Sequence, residues 1–218
     1  TFYAGADAGG GATANVLKST NKGVTWAATS AEPFATNEDI HAVACFEISR
    51  GVNRGLAVRE TDAAAPLEIA YSDDGGVTWA LVTVGSTNGE ALGSANGLFV
   101  LDSQHLWIAT TSGNVFFSSD GGESWADQGA SGASGGTQLN AIHFVDADIG
   151  FAVGNTDVVI KTVDGGAHWS AATATGGGDN LNCVWAFSKY RVLIGSAIEA
   201  NGSLYMSFDG AATYERKY

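Results

Sequence analysis

The sequence is poor in basic residues. Its 218 residues include 10 lysines and arginines against 23 aspartates and glutamates, which gives a formal net charge of -13. A nucleic-acid interface needs a basic footprint, and an anionic membrane surface attracts basic segments. We therefore expect neither nucleic acid nor membrane as a partner, and the acidity itself names no other partner.

Cysteine, proline and long apolar runs are also scarce. No apolar run approaches the roughly 20 residues of a membrane-spanning helix, so no membrane insertion is expected. The two cysteines, Cys45 and Cys183, are too few for a disulfide framework, and each lies in an apolar run that resembles a strand. We expect both to be buried thiols outside any disulfide. The sequence has 30 glycines and two prolines, a composition that favours many tight turns between short strands.

One short turn motif occurs five times. Each copy begins with Ser or Thr, continues through Asp or Asn and a glycine, and ends in an aromatic residue. The copies run from Ser19 to Trp26, Ser72 to Trp79, Ser118 to Trp125, Thr162 to Trp169 and Ser207 to Tyr214. Their aromatic residues lie 53, 46, 44 and 45 positions apart. A period of about 45 is typical of one four-stranded propeller blade.

Each position of the motif has a structural role. The acidic or amide side chain accepts backbone N–H groups, glycine supplies positive φ, and the aromatic ring packs back over the hairpin. Burying one indole would remove up to roughly 200 Å² from water. The residues assigned to this structural turn are Asn21, Gly23, Trp26, Asp74, Gly76, Trp79, Asp120, Gly122, Trp125, Asp164, Gly166, Trp169, Asp209 and Tyr214.

The segments around the turns alternate as strands do, and none shows helical periodicity. We predict an all-β fold: one β-propeller domain over residues 1–218, with about five four-stranded antiparallel blades and the turn between third and fourth strands. The blades span approximately 1–31, 38–85, 91–129, 138–174 and 180–218. The first blade lacks its first strand. We therefore expect that the chain is trimmed at its N-terminus, that the ring borrows a strand, or that the ring stays open.

The turn resembles the Asp-box, or bacterial neuraminidase repeat, of sialidases, sortilin-type receptors and several glycoside hydrolases. The unit from Ala141 to Trp169 is similar to the photosystem II assembly-factor-like propellers of bacteria and phages. This resemblance covers the whole chain at the level of repeats. It implies a propeller with its Asp-boxes on the periphery, and it does not fix the function, because propellers host unrelated activities.

Enzymatic readings find little support. A sialidase needs three converging arginines, but three of the five here, Arg50, Arg54 and Arg59, fall in one unit. A carboxylate-pair glycosidase needs two acids that flank a cleft. Four of the aspartates belong to the turns. We expect the following glutamates to be solvated surface residues: Glu47, Glu60, Glu68, Glu90 and Glu199. The four histidines are spread over three units without ligand spacing, so we expect neither metal nor cofactor.

Four residues are candidates for binding a partner: Arg50, Arg54, Trp107 and Trp185. The arginines lie in the longest unit, where the stretch Arg50–Gly55 is expected to project as a loop. The tryptophans fall outside the turns, and packing in the core is the alternative role for both. We predict a non-catalytic module that binds proteins, in a secreted, envelope or phage virion setting. Carbohydrate binding or hydrolysis is the alternative, and a photosystem assembly factor is a third.

Overall fold

The computed structural model describes residues 2–5, 15–34, 40–59, 66–85, 91–196 and 202–217. These residues form five sheets, in each of which consecutive strands are neighbours. The first sheet contains β1 (Phe2–Gly5), β2 (Val16–Ser19) and β3 (Ala27–Ala28). The second contains β4 (Ile40–Ser49), β5 (Val52–Arg59), β6 (Leu67–Ser72) and β7 (Ala80–Val84).

The remaining three sheets each have four strands. The third contains β8 (Leu98–Asp102), β9 (His105–Ala109), β10 (Val115–Ser118) and β11 (Ala126–Asp127). The fourth contains β12 (Leu139–Phe144), β13 (Gly150–Gly154), β14 (Val159–Thr162) and β15 (Ser170–Ala171). The fifth contains β16 (Leu181–Ala186), β17 (Val192–Ser196), β18 (Leu204–Ser207) and β19 (Glu215–Arg216). The predicted all-β propeller fold is confirmed, with one short helix, α1 (Ser131–Ser134).

The chain divides into two compact units, and the third sheet contributes residues to both. In the first unit, Val16, Ala57 and Ala70 form a core between the first and second sheets, and Tyr3 and Trp79 pack against it. The prediction of a single domain over residues 1–218, with its blade boundaries, remains a prediction.

The second unit has two cores. One lies between the third and fourth sheets, where the Trp107 and Phe144 rings stack with centroids 3.6 Å apart. The other lies between the fourth and fifth sheets and contains Phe151, Ile194 and Tyr205. Each core joins residues of two consecutive sheets, as stacked blades do.

The five turns share one hydrogen-bond pattern, which the third turn illustrates. The Ser118 hydroxyl donates to Asp120 Oδ1 at 2.8 Å and accepts from Gly122 N–H at 2.8 Å. Asp120 Oδ1 also accepts from Ser124 N–H at 2.9 Å. The equivalent hydroxyls are buried in every copy, at Ser19, Ser72, Ser118, Thr162 and Ser207. A buried hydroxyl that both donates and accepts fixes the turn from inside.

The two degenerate copies adopt the same backbone. Positive φ occurs at both residues after the Asp or Asn, even at Lys22 (60°) and Ala211 (67°), where other copies have glycine. Side chains with a Cβ rarely adopt this conformation, so the surrounding hydrogen bonds hold them in it. The turn is therefore imposed by its hydrogen bonds as well as by glycine.

The aromatic residue of each turn is less buried than the sequence suggests. Trp79, Trp125, Trp169 and Tyr214 are half-buried, and Trp26 is 43% exposed. Trp169 contacts Phe144 of its own sheet edge to face, with ring centroids 5.9 Å apart. These rings cover the side of the core and lie partly in solvent.

We expect Trp169→Ala to lower the free energy of unfolding by about 2–3 kcal/mol, because the half-buried ring loses part of what a fully buried one would. Trp26 occupies the same position in the first turn, and Trp26→Ala should lower the free energy of unfolding by about 1 kcal/mol or less. Urea unfolding followed by far-UV circular dichroism measures both. Equal losses for the two variants would contradict this account of the rings.

The turn aspartates also predict acid sensitivity. Hydrogen bonds from Thr78, the largest cause, and from Ser72 and Val77 lower the pKa of Asp74 to about 2. Bonds from Thr213 do the same for Asp209. Both pKa values lie below the ordinary 3.8. The ionised carboxylates therefore contribute fully to the stability of the fold above pH 3.8, and this contribution is lost as the pH falls towards 2.

Asp74→Asn should reduce this acid dependence and still fold at pH 7. The first turn already uses an amide, since Asn21 Oδ1 accepts from Thr25 N–H at 2.9 Å and Asn21 Nδ2 donates to Thr25 Oγ1 at 2.8 Å. Urea unfolding at pH 7, 4 and 3 compares the variant with the parent. An unchanged loss of stability between pH 4 and 3 would contradict the prediction.

Candidate functional site

A cavity of about 400 Å³ lies in the second unit and is lined by the first strands of three consecutive sheets. Its walls include Phe99 of β8, His143 of β12 and Trp185 of β16. Asn96, in the turn before β8, and Cys183 of β16 also line it. We call this site the aromatic cavity.

Three rings form a continuous wall of the aromatic cavity. The His143 ring lies between the others, 4.8 Å from Phe99 and 4.2 Å from Trp185, measured between ring centroids. His143 and Phe99 are mostly buried, whereas Trp185 is 55% exposed. The site therefore presents a large aromatic surface of which the outermost ring is accessible.

His143 is neutral at physiological pH. Burial lowers the pKa of its imidazole below the ordinary 6.5. Its Nδ1 accepts a hydrogen bond from Ala186 N–H at 3.4 Å, so the neutral ring carries its proton on Nε2. The cavity wall thus contains a hydrogen-bond donor without a charge.

Asparagine side chains connect the segments whose residues line the aromatic cavity. Asn140 Nδ2 donates to Leu181 O at 2.9 Å and to Asn182 Oδ1 at 3.2 Å. Asn96 Nδ2 donates to Asn182 O at 3.1 Å. Asn140 and Asn182 sit where the register shifts at the start of β12 and β16, each as the extra residue of a β-bulge.

None of these asparagines was among the site residues predicted from the sequence. A signal was available, because Asn96, Asn140 and Asn182 recur at nearly the same spacing as the turns. The bulge at each strand start turns the amide out of the strand's alternation and towards the neighbouring sheet. Asparagine thus marks the start of the first strand in the fourth and fifth sheets, whereas Asn96 lies in the turn before β8.

Of the predicted partner-binding residues, Trp185 lies in the aromatic cavity and Trp107 does not. Trp107 is 0% exposed, stacks on Phe144 and donates its Nε1–H to Gly165 O at 3.3 Å. It is a core residue, as the alternative reading held, and the proposed role in binding is wrong. The difference follows from position, because Trp107 is in the second strand of its sheet and Trp185 in the first.

Arg54 is also buried, at 3% exposure, and its role as a partner-binding residue is wrong. It forms ion pairs with Asp73 at 2.7 Å and Glu123 at 2.8 Å, and donates to Gly121 O at 3.1 Å. The stretch Arg50–Gly55 contains the tight turn that joins the end of β4 to the start of β5, with Gly51 at φ 82°, and is not a projecting loop. Arg50 is exposed in that turn.

Arg54 belongs to a series of bonds that join consecutive sheets within each unit. Every acceptor is the carbonyl of the first residue after a turn aspartate. Lys18 donates to Gly75 O at 3.0 Å, Arg54 to Gly121 O, and Lys161 to Gly210 O at 3.0 Å. Trp107 shares Gly165 O with Gln128, whose amide donates to it at 2.8 Å.

Neither cysteine is fully buried. Cys183 is exposed and Cys45 is half-buried, so the expected burial of both is wrong, although neither is in a disulfide. Cys183 lies on the face of β16 opposite Val184, which is part of the core between the fourth and fifth sheets. Glu47 accepts from Gly51 N–H and Glu68 pairs with Arg59, whereas Glu60, Glu90 and Glu199 lie outside the described residues.

Two kinds of feature are absent from the described residues. They contain no group of three or more His, Cys, Asp or Glu side chains placed to hold a metal ion. No helix among them has the length and hydrophobicity to cross a membrane.

Five sheets with one shared turn define a β-propeller of the Asp-box type. The family model described as Photosynthesis system II assembly factor YCF48 matches residues 69–162, which is less than half of the chain. Over that stretch the sequence is similar to the assembly factor, which confirms the resemblance found in the repeats. None of the curated proteins matches the sequence.

Solved structures agree on the fold. YCF48 from Cyanidioschyzon merolae is 14% identical with a TM-score of 0.57, over 90% of this chain and 61% of that one. A structure of YCF48 bound to D1 peptide is also 14% identical, with a TM-score of 0.56, over 94% of this chain and 74% of that one. The GH74 enzyme of Niastella koreensis is 19% identical with a TM-score of 0.67, over 99% of this chain and 36% of that one.

These identities show the fold alone. The chain spans less than two thirds of the C. merolae protein and about a third of the GH74 enzyme. An assembly factor and a GH74 enzyme thus share this architecture, and the chemistry of the site must distinguish between such functions.

We expect Arg54→Met to lower the free energy of unfolding by roughly 2 kcal/mol. The substitution removes the buried guanidinium, which leaves two half-exposed carboxylates without their ion pairs and one turn carbonyl without its donor. Arg50→Met, four residues earlier in the exposed turn, should change it by less than about 0.5 kcal/mol. Chemical unfolding measures both variants. Equal stability of the two would show that Arg54 does not join its neighbouring sheets.

Proposed function

We propose that the protein is a non-catalytic binding module whose aromatic cavity receives a segment of a partner protein. The observation that carries this proposal is Trp185, which is 55% exposed at the edge of a cavity walled by Phe99 and His143. Exposed tryptophans beside buried apolar walls are typical of the residues that dominate protein interfaces. Such a site binds without needing a catalytic group.

A peptide is the ligand class that a related structure supports. The structure of YCF48 bound to D1 peptide is that of a propeller of this fold with a bound peptide. Identity to that protein is 14%, so neither its peptide nor its binding residues are carried over to this chain. The precedent supports a protein segment as the occupant, and the aromatic cavity is our own choice of site.

Carbohydrate is the alternative, since Trp185 could stack on a sugar face and GH74 enzymes share the fold. A sugar carries hydroxyl groups around its whole ring, and each buried hydroxyl needs a hydrogen-bonding partner. Among the described side chains that line the aromatic cavity, only Asn96, His143, Cys183 and Trp185 have polar atoms, and Trp185 has one indole N–H on a large apolar ring. The lining therefore favours an occupant that is mostly apolar.

We also propose a secreted, envelope or virion setting, supported only by the acidic, lysine-poor composition. Mass spectrometry of culture medium, membrane fractions and purified particles tests this. Recovery with photosynthetic subunits instead would overturn it and favour a photosystem assembly role.

A phage-displayed library of random peptides, selected on the full chain, tests the proposed binding. We expect synthetic copies of the selected peptides to bind, and Trp185→Ala to weaken them roughly 10- to 30-fold. Trp26→Ala is the matched control, because Trp26 is 43% exposed but does not line the aromatic cavity, and it should change nothing. A glycan array and a turnover assay run alongside.

Two outcomes would overturn the proposal. One is glycan binding or sugar cleavage without any peptide selected. The other is peptide binding that Trp26→Ala and Trp185→Ala weaken equally.

A further inference from the structure

We infer that the aromatic cavity recognises one peptide unit of its partner together with the uncharged apolar side chain beside it, through a donor on His143 and an acceptor on Asn96. This inference rests on the proposed function and specifies the chemistry of the ligand. It follows from two polar atoms of a mostly apolar lining, one donor and one acceptor, that have no partner among the described residues; the indole N–H of Trp185 is a second donor in this lining.

The donor is His143 Nε2. The side chain is more than nine-tenths buried, at 8% exposure, and it lines the cavity. Its Nδ1 accepts from Ala186 N–H, which leaves the proton on Nε2, and Nε2 has no partner among the described residues. Nε2 is also absent from the atoms sealed in the core without a partner, so it is accessible. A buried N–H of this kind gains from a ligand acceptor.

The acceptor is Asn96 Oδ1. The Asn96 amide donates through Nδ2 to Asn182 O at 3.1 Å, and this bond fixes which end of the amide is oxygen. Oδ1 then has no partner in the described part of the chain. One donor and one acceptor are what a single peptide group needs, since it offers one carbonyl and one N–H.

The rest of the lining selects the side chain. Phe99 and Trp185 offer aromatic surface, and Leu98, Ile142 and Val184 are aliphatic. None of the described residues that line the cavity is a carboxylate, so a lysine or arginine side chain would be desolvated there without a counter-charge from them. At about 400 Å³ the cavity is near the lower end of ligand sites, which suits one side chain and its peptide group.

Cys183 provides a direct measure of occupancy. It is exposed and lines the cavity, whereas the half-buried Cys45 lies in β4 of the first unit and serves as an internal control. The probes are N-acetyl-phenylalanine methylamide, its lysine counterpart and the peptides selected by phage display. Alkylation of each thiol by iodoacetamide is followed by mass spectrometry at increasing probe concentration.

We expect the phenylalanine probe to slow alkylation of Cys183 and not of Cys45. The lysine probe should need at least a tenfold higher concentration for the same protection. His143→Leu removes the donor and should weaken binding roughly fivefold to tenfold. His143→Gln keeps an N–H in the same region and should recover most of the affinity, which a purely packing role for His143 would not predict.

Thermal unfolding of each variant ensures that binding is measured on folded protein. Selected peptides that bind without protecting Cys183 would overturn this inference and leave protein binding intact. Protection that is equal for the two small probes, or unchanged in His143→Leu, would also overturn it. Protection by the phenylalanine probe without any selected peptide would contradict the proposed function and leave the chemistry of the cavity standing.

Discussion

The fold depends on one buried hydroxyl in each turn. At Ser118 and its equivalents, a single oxygen donates to the turn aspartate or asparagine and accepts the N–H four residues on. Both partners lie in the same short segment, so the turn closes without help from the rest of the chain. The closed turn then sets where the fourth strand begins and where the aromatic ring lies. Each of the five sheets contains one hairpin, formed by its last two strands, that is fixed in this way.

The same turn presents a carbonyl to the sheet before it. Because the first residue after each aspartate has positive φ, its oxygen is available to donors such as Lys18, Arg54 and Lys161. These bonds, with the cores between sheets, fix how consecutive sheets stack within each unit. In the second unit, that stacking brings β8, β12 and β16 together and forms the aromatic cavity. The turn thus positions a site to which it contributes no residue.

The sequence predicted what is local and missed what depends on the stacking of sheets. The turns were found because all their partners lie within a few residues, and the strands because their side chains alternate. Arg54 and Trp107 were misjudged because their burial depends on a neighbouring sheet, which composition does not reveal. Cys183 and Trp185 lie two positions apart on β16, yet only the packing of the fifth sheet shows that both face the cavity. The asparagines at the bulges were readable from their spacing.

The bonds between sheets use an acceptor that every amino acid possesses. Lysine, arginine, and tryptophan with glutamine each serve as donor at different junctions, and all reach a main-chain oxygen. A duplicated blade therefore brings its own docking point, whatever side chains it later acquires. Such a junction tolerates divergence on both sides, so a gene could gain or exchange blades by simple duplication without first evolving a matched pair of surfaces.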